Sequence, residues 1–146
     1  MIFISFNYKG LASPPKSQTL RRLLQSENLD VIFFQETIGN GDVIVRMLKA
    51  LIPGWSFLVV YTIGISGGLS IDFNPKSIKT LGSWSSEGIL GADIFATELG
   101  MELKVVNIYI PCHDRSAFWE RLMARSYMNI ANLVVGGDLN FSLGTL

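Results

Sequence analysis

Cysteine is almost missing from this chain. Cys112 stands alone, so no internal disulfide can form, and a reducing, intracellular compartment (nucleus or cytoplasm) is the default expectation. Histidine is equally scarce. His113 is the single one, and a lone loop histidine is more often a surface residue than a catalytic one. No charge of one sign dominates: 12 Lys and Arg face 12 Asp and Glu, for a formal net charge of +0. The totals therefore carry no electrostatic nucleic-acid footprint, and Arg21-Arg22 is the best local basic pair. No apolar run reaches the roughly 18 residues of a membrane span. The apolar start lacks the charged n-region of a secretory signal and is cut short by Asn7, Lys9 and Pro14-Pro15. Internal repeats, linkers and low-complexity stretches are absent.

What is present is apolar. The 146 residues are 49% hydrophobic and 16% charged, which argues against disorder and suits a single domain, residues 1–146. Residues 2–7 read as a buried strand, apolar on both faces except Ser5. Pro14-Pro15 predict a loop, with a helix from Lys16 or Ser17 to about Asn28 on the stripe Leu20, Leu23 and Leu24. A second buried strand over 30–36 makes the opening a right-handed βαβ unit. Gly41-Asp42 starts a second helix that ends at Pro53-Gly54. Strands follow at Trp55–Tyr61, Leu69–Phe73, 77–84, 92–99 and Glu102–Ile110, spaced as an antiparallel meander. Asp114 is placed to cap a helix from Arg115 to about Asn129, its core face made by Phe118, Trp119, Leu122 and Met123. The last strand is Asn132–Gly137.

Three of these apolar strands end in the same kind of residue. The first closes on Asn7, the second on Gln35-Glu36-Thr37, and the last on Gly136-Gly137-Asp138-Leu139-Asn140. Alternation puts Asp138 and Asn140 on one side and Leu139 on the other. Each residue alone has an ordinary explanation: Asn7 a turn former, Glu36 a solvated strand end, Asp138 with Asn140 a self-bonded turn, Tyr109 a half-buried phenol with a wet hydroxyl. Together they bring carboxylate and amide oxygens toward one sheet edge. Oxygen donors with few nitrogen or sulfur partners suit a hard cation such as Mg²⁺, with Mn²⁺ as a substitute.

The same residues carry a resemblance. Phe6-Asn7-Tyr8-Lys9-Gly10-Leu11, Asp30–Thr37, Ser66-Gly67-Gly68-Leu69, Asn107-Ile108-Tyr109-Ile110-Pro111 and Gly137-Asp138-Leu139-Asn140 resemble, in order and spacing, the landmarks of the endonuclease/exonuclease/phosphatase superfamily. The nearest likeness is to the endonuclease domain of plant non-LTR (LINE-type) retrotransposons. The resemblance implies a DNase I-like, four-layer α/β sandwich and Mg²⁺-dependent hydrolysis of a DNA phosphodiester. It implies that Glu36 is the principal metal ligand with Asn7 beside it. Tyr109 would contact the scissile phosphate, Asp138 would orient or deprotonate the attacking water, and Asn140 would help hold the phosphate. The superfamily's Ser-Asp-His motif has no counterpart after Asn140. The expectation is therefore the N-terminal half of the sandwich, a mixed sheet with helices on one face. Its other face would be left bare and prone to homodimerise. Activity would be weak or incomplete, or replaced by a non-catalytic binding or self-associating role.

Overall fold

The computed structural model describes residues 1–8, 14–37, 39–61, 67–110 and 112–140. Within them run β1 (Phe3–Asn7), α1 (Pro14–Ser26), β2 (Val31–Thr37), α2 (Gly41–Leu51), β3 (Ser56–Val60), β4 (Gly68–Phe73), β5 (Ile78–Ser86), β6 (Ile89–Ala96), β7 (Met101–Tyr109), α3 (Arg115–Met123), a short 3₁₀ turn at Ser126–Asn129 and β8 (Leu133–Asp138). Parts of the expected motifs, namely Lys9-Gly10-Leu11, Ser66, Pro111 and everything after Asn140, lie outside the described residues.

The strands form two sheets rather than one. The first has the order β1-β2-β4-β3, with β1 parallel to β2 and the rest antiparallel; the second is β5-β6-β7-β8, with β8 parallel to β7. The expected meander is thus divided. After β4 the chain turns at Asn74, whose backbone N–H and side-chain amide bond the Asp30 and Leu29 carbonyls, and it leaves for the other sheet.

Alternation along each strand decides what every layer buries. Val31 and Phe33 of β2, with Leu69, Ile71 and Phe73 of β4, face inward and meet Leu90, Ala92, Ile94, Leu103 and Val105 of the second sheet. Ile32 and Phe34 face outward, beneath Leu20 of α1 and Ile44 and Leu48 of α2. Val106 and Ile108 of β7 face outward on the far side, beneath Phe118 and Leu122 of α3. The result is four layers, helix–sheet–sheet–helix. This corrects two expectations. Helices cover both outer faces rather than one, and the inner face of the first sheet is not bare, because β5–β8 cover it. The premise of a dimer through that face falls with it.

Local chemistry accounts for the shifted boundaries. The prolines expected to delay α1 open it instead, because proline at the first helical position gives up only an N–H that would have no intrahelical partner there. Asn40 caps α2, its side-chain oxygen accepting from Val43 N–H at 3.1 Å. Asp114 makes no such bond and sits in the left-handed region at φ 54°. The helix it precedes stops at Met123, which is exposed rather than packed in the core. β5 and β6 meet at Glu87-Gly88, with Gly88 at φ 71°. The expected strands at 77–84 and 92–99 each missed the residues flanking that turn.

Candidate active site

The inner faces of both sheets turn polar at the same end. On β1 the inward sequence is Phe3, Ser5, Asn7. On β2 it is Val31, Phe33, Gln35. On β7 it is Leu103, Val105, Asn107, Tyr109, and on β8 it is Val134, Gly136, Asp138. Hydrophobic rungs hold the sheets together, and the last rungs open into a cleft of about 770 Å³ whose lining includes Asn7, Gln35, Arg115, Asp138 and Asn140.

Strict alternation would turn Glu36 away from this cleft and under the helices with Ile32 and Phe34. A register shift between Gln35 and Thr37 prevents that. Glu36 takes a left-handed backbone, φ 55°, a conformation that costs a non-glycine residue on the order of 1–2 kcal/mol. The bulge re-aims the carboxylate inward. It also requires Gly67: a Cβ there would lie 2.5 Å from the Glu36 Cα. The second glycine requirement is at Gly136, where a Cβ would meet the Phe33 ring at 2.5 Å, so the apolar strand before Asp138 can lie flat on the opposite sheet.

The expected residues converge. Asn7 Nδ2 reaches Asp138 Oδ2 at 2.5 Å and Glu36 Oε1 at 3.4 Å. Tyr109 donates its hydroxyl to the same Glu36 oxygen at 3.0 Å. Asp138 Oδ1 accepts the Asn140 backbone N–H at 2.9 Å, the self-bonded turn read in the sequence, with Asn140 at φ 47°. The Asn140 amide points away from Asp138, to the Ile110 carbonyl at 2.7 Å and the Cys112 sulfur at 3.6 Å. His113 is exposed and has no hydrogen bond to any of these groups. Burial first, and then the Glu36 carboxylate it bonds, push the Tyr109 phenol up to about 12, so it is a proton donor throughout the neutral range.

Arg115 was not anticipated. The first residue of α3, it lines the cleft and donates to the Asn140 carbonyl. One arginine at the start of a helix carries no pattern in a sequence. Only the return of α3 beside the end of β8 shows its place.

Whether a cation fits is decided by the donor set. Glu36 and Asp138 are two carboxylates sharing one neutral amide. Among the described residues the ion pairs are Met1–Glu98 and Lys104–Asp93, so neither cleft carboxylate has a cationic partner. No group of three or more His, Cys, Asp or Glu suited to a metal occurs among the described residues. Two carboxylates are too few for a closed structural site. They suit an open site for a hard divalent cation that keeps some of its waters.

The sequence profile of the Endonuclease/Exonuclease/phosphatase family matches residues 4–145. The chain belongs to that family. Several solved structures share the fold. TDP2 from D. rerio superposes with a TM-score of 0.74 at 20% identity, covering 95% of this chain and 60% of its own, in a complex with a single-strand DNA product. The catalytic domain of human Nocturnin, with a bound sulfate anion, gives 0.65 at 15% identity over 88% of this chain and 58% of that one. A mannosyl-6-phosphatase of Bacteroides thetaiotaomicron gives 0.65 at 15%, over 94% and 64%. The chain thus spans about 60% of the length of the structures it matches. A comparison with curated proteins by sequence finds no match.

Proposed function

We propose that this member of the endonuclease/exonuclease/phosphatase family hydrolyses a phosphodiester bond of DNA with Mg²⁺ held by Glu36 and Asn7. One observation carries the reading: Asn7, Glu36, Tyr109 and Asp138, from strands of both sheets, form one hydrogen-bonded chain, and Asn7 and Asp138 line the open cleft. The divalent ion, when bound, polarises the phosphoryl oxygen and offsets charge in the transition state. The rest is the work of the chain. Asp138, held by Asn7 and by the Asn140 N–H, orients the attacking water and accepts its proton as the new P–O bond forms and the old one breaks. Tyr109, kept protonated and bonded to Glu36 in the free protein, contacts the phosphate once substrate is bound. Asn140 shapes the turn, and Arg115, which lines the cleft, offers a cation to a phosphate oxygen.

DNA rather than a small phosphate ester is favoured by the single-strand DNA product bound to one structural relative and by the openness of the cleft. We extend the reading to a retroelement origin, an intracellular site of action and one domain over residues 1–146. The alternative reading is a non-catalytic binding module on the same fold. Plasmid nicking with Mg²⁺ and with EDTA separates the two readings. Glu36→Gln should lower Mg²⁺-dependent nicking by at least about 10²-fold, as for loss of a central electrostatic group. Nicking that survives this substitution unchanged belongs to a contaminant.

A further inference from the structure

Beneath the cleft, both sheets contain polar side chains in rungs that are otherwise apolar. Asn107 lies inside β7 and is completely buried, as is Gln35 of β2 apart from a trace. A buried amide left without partners costs about 1–3 kcal/mol per unmade bond, and Asn107 makes three. Its Nδ2 gives one hydrogen to the Phe34 carbonyl and the other to the Ser70 carbonyl, each at 2.8 Å; its Oδ1 accepts from Gln35 Nε2 at 2.7 Å. Gln35 Nε2 also reaches Ser5 Oγ at 3.1 Å. Asn107 belongs to the second sheet, while Phe34, Gln35, Ser70 and Ser5 all belong to the first. One side chain therefore ties β7 to β2 and β4 directly and to β1 through Gln35.

The place of this tie is what matters. Glu36 is the residue after Gln35, and Tyr109 is the next inward residue after Asn107. Apolar rungs tolerate sliding and repacking. A three-bond amide rung does not, and a slip of one residue, about 3.3 Å, would end the 3.0 Å contact between Tyr109 and Glu36.

We propose that Asn107 is a positioning residue: by locking the two sheets in register directly below the cleft, it sets the spacing of the Glu36 and Tyr109 groups that bind metal and phosphate. The inference rests on the phosphodiesterase reading above.

Mg²⁺ binding by titration calorimetry, with no substrate present, tests it apart from activity. Asn107→Leu keeps the volume and removes all three bonds. Val105→Ala, on the same inner face of β7 and equally buried, costs core packing and leaves the amide intact. With every protein shown folded by a cooperative urea transition, Asn107→Leu should weaken Mg²⁺ binding at least tenfold and lower kcat. Val105→Ala should lose stability and keep wild-type Mg²⁺ affinity. If Asn107→Leu does not fold, Asn107→Thr, which keeps one donor, takes its place with an intermediate loss expected. Unchanged Mg²⁺ affinity in the Asn107 variants, an equal loss in Val105→Ala, or failure of both Asn107 variants to fold would each reduce Asn107 to a stability role. Absence of Mg²⁺ binding in the wild type would instead overturn the metal-dependent reading itself.

Discussion

Asp72 offers the sharpest test of the fold's energetics. It sits in the middle of β4, between Ile32 of β2 and Phe57 of β3, on the face turned toward α1 and α2. It is fully buried; its Oδ1 accepts from Ser70 Oγ at 2.8 Å, and its Oδ2 has no hydrogen-bond partner. Burial pushes the carboxyl from 3.8 up to about 8, and the Ser70 hydroxyl offsets only part of that. At pH 7 the folded protein therefore holds a proton here that the unfolded chain has released. Where the folded state binds more protons, stability falls as pH rises. The loss begins near pH 4, runs through the window to about 8 and then levels off. At 1.36 kcal/mol per unit, the cost reaches about 4 kcal/mol at pH 7. Against a domain stability of about 5–15 kcal/mol, this is a major term. Asp72→Asn keeps the size and the acceptor for Ser70 and cannot ionise. Urea unfolding followed by tryptophan fluorescence should show no advantage for the variant near pH 4. At pH 7 its midpoint should rise by roughly 2 M, from an m-value of about 2 kcal/mol/M, with no further gain above pH 8. An advantage that does not change with pH would refute the reasoning and mean that the carboxylate is ionised and hydrated in the fold.

Three further outcomes are expected. Arg115→Gln should lower kcat/KM for DNA nicking by about 10- to 100-fold with little change in urea midpoint, and Arg115→Lys should recover part of the loss; equal rates would remove Arg115 from the site. Gly67→Ala, forced against the Glu36 backbone, should cost about 2–4 kcal/mol of stability together with nicking activity, and a variant as stable as the wild type would show that the bulge can move. His113→Ala should leave nicking within about twofold, since His113 bonds none of the cleft groups; a loss comparable to that of Glu36→Gln would mean that the general base is misassigned.

Much of the site could be read from the sequence because it depends on alternation. Asn7, Asp138 and Tyr109 each close an apolar strand, and the pleat alone sends them inward. Glu36 was found for an incomplete reason: its strand end was visible, but the bulge that turns it inward depends on Gly67, which is thirty-one residues away. The two-sheet division was hidden because Asn74-Pro75 has the composition of a hairpin turn, whereas its bonds to Leu29 and Asp30 send the chain across the sandwich. Asn107 could have been found. A lone amide in an apolar strand, buried on both sides, must have partners, and that signal was present in Val105-Val106-Asn107-Ile108. Arg115 could not, since nothing local distinguishes it from Arg121 or Arg125.

The order of the two sheets along the chain also bears on synthesis. The first sheet and both of its helices are complete once Phe73 has been made, while the second ends only at Asp138. At about 5–20 residues per second, the interval lasts roughly 3–13 s. For about the first half of that time Val31, Phe33, Leu69, Ile71 and Phe73 lack the second-sheet residues that cover them, which run to Val105, and this is when a nascent chain most needs a chaperone. Asp138 is also the last of the four converging groups to leave the ribosome. The convergence at the cleft is complete only once Asp138 has been made, so a chain interrupted before it carries the fold's first layers without the full set of converging groups.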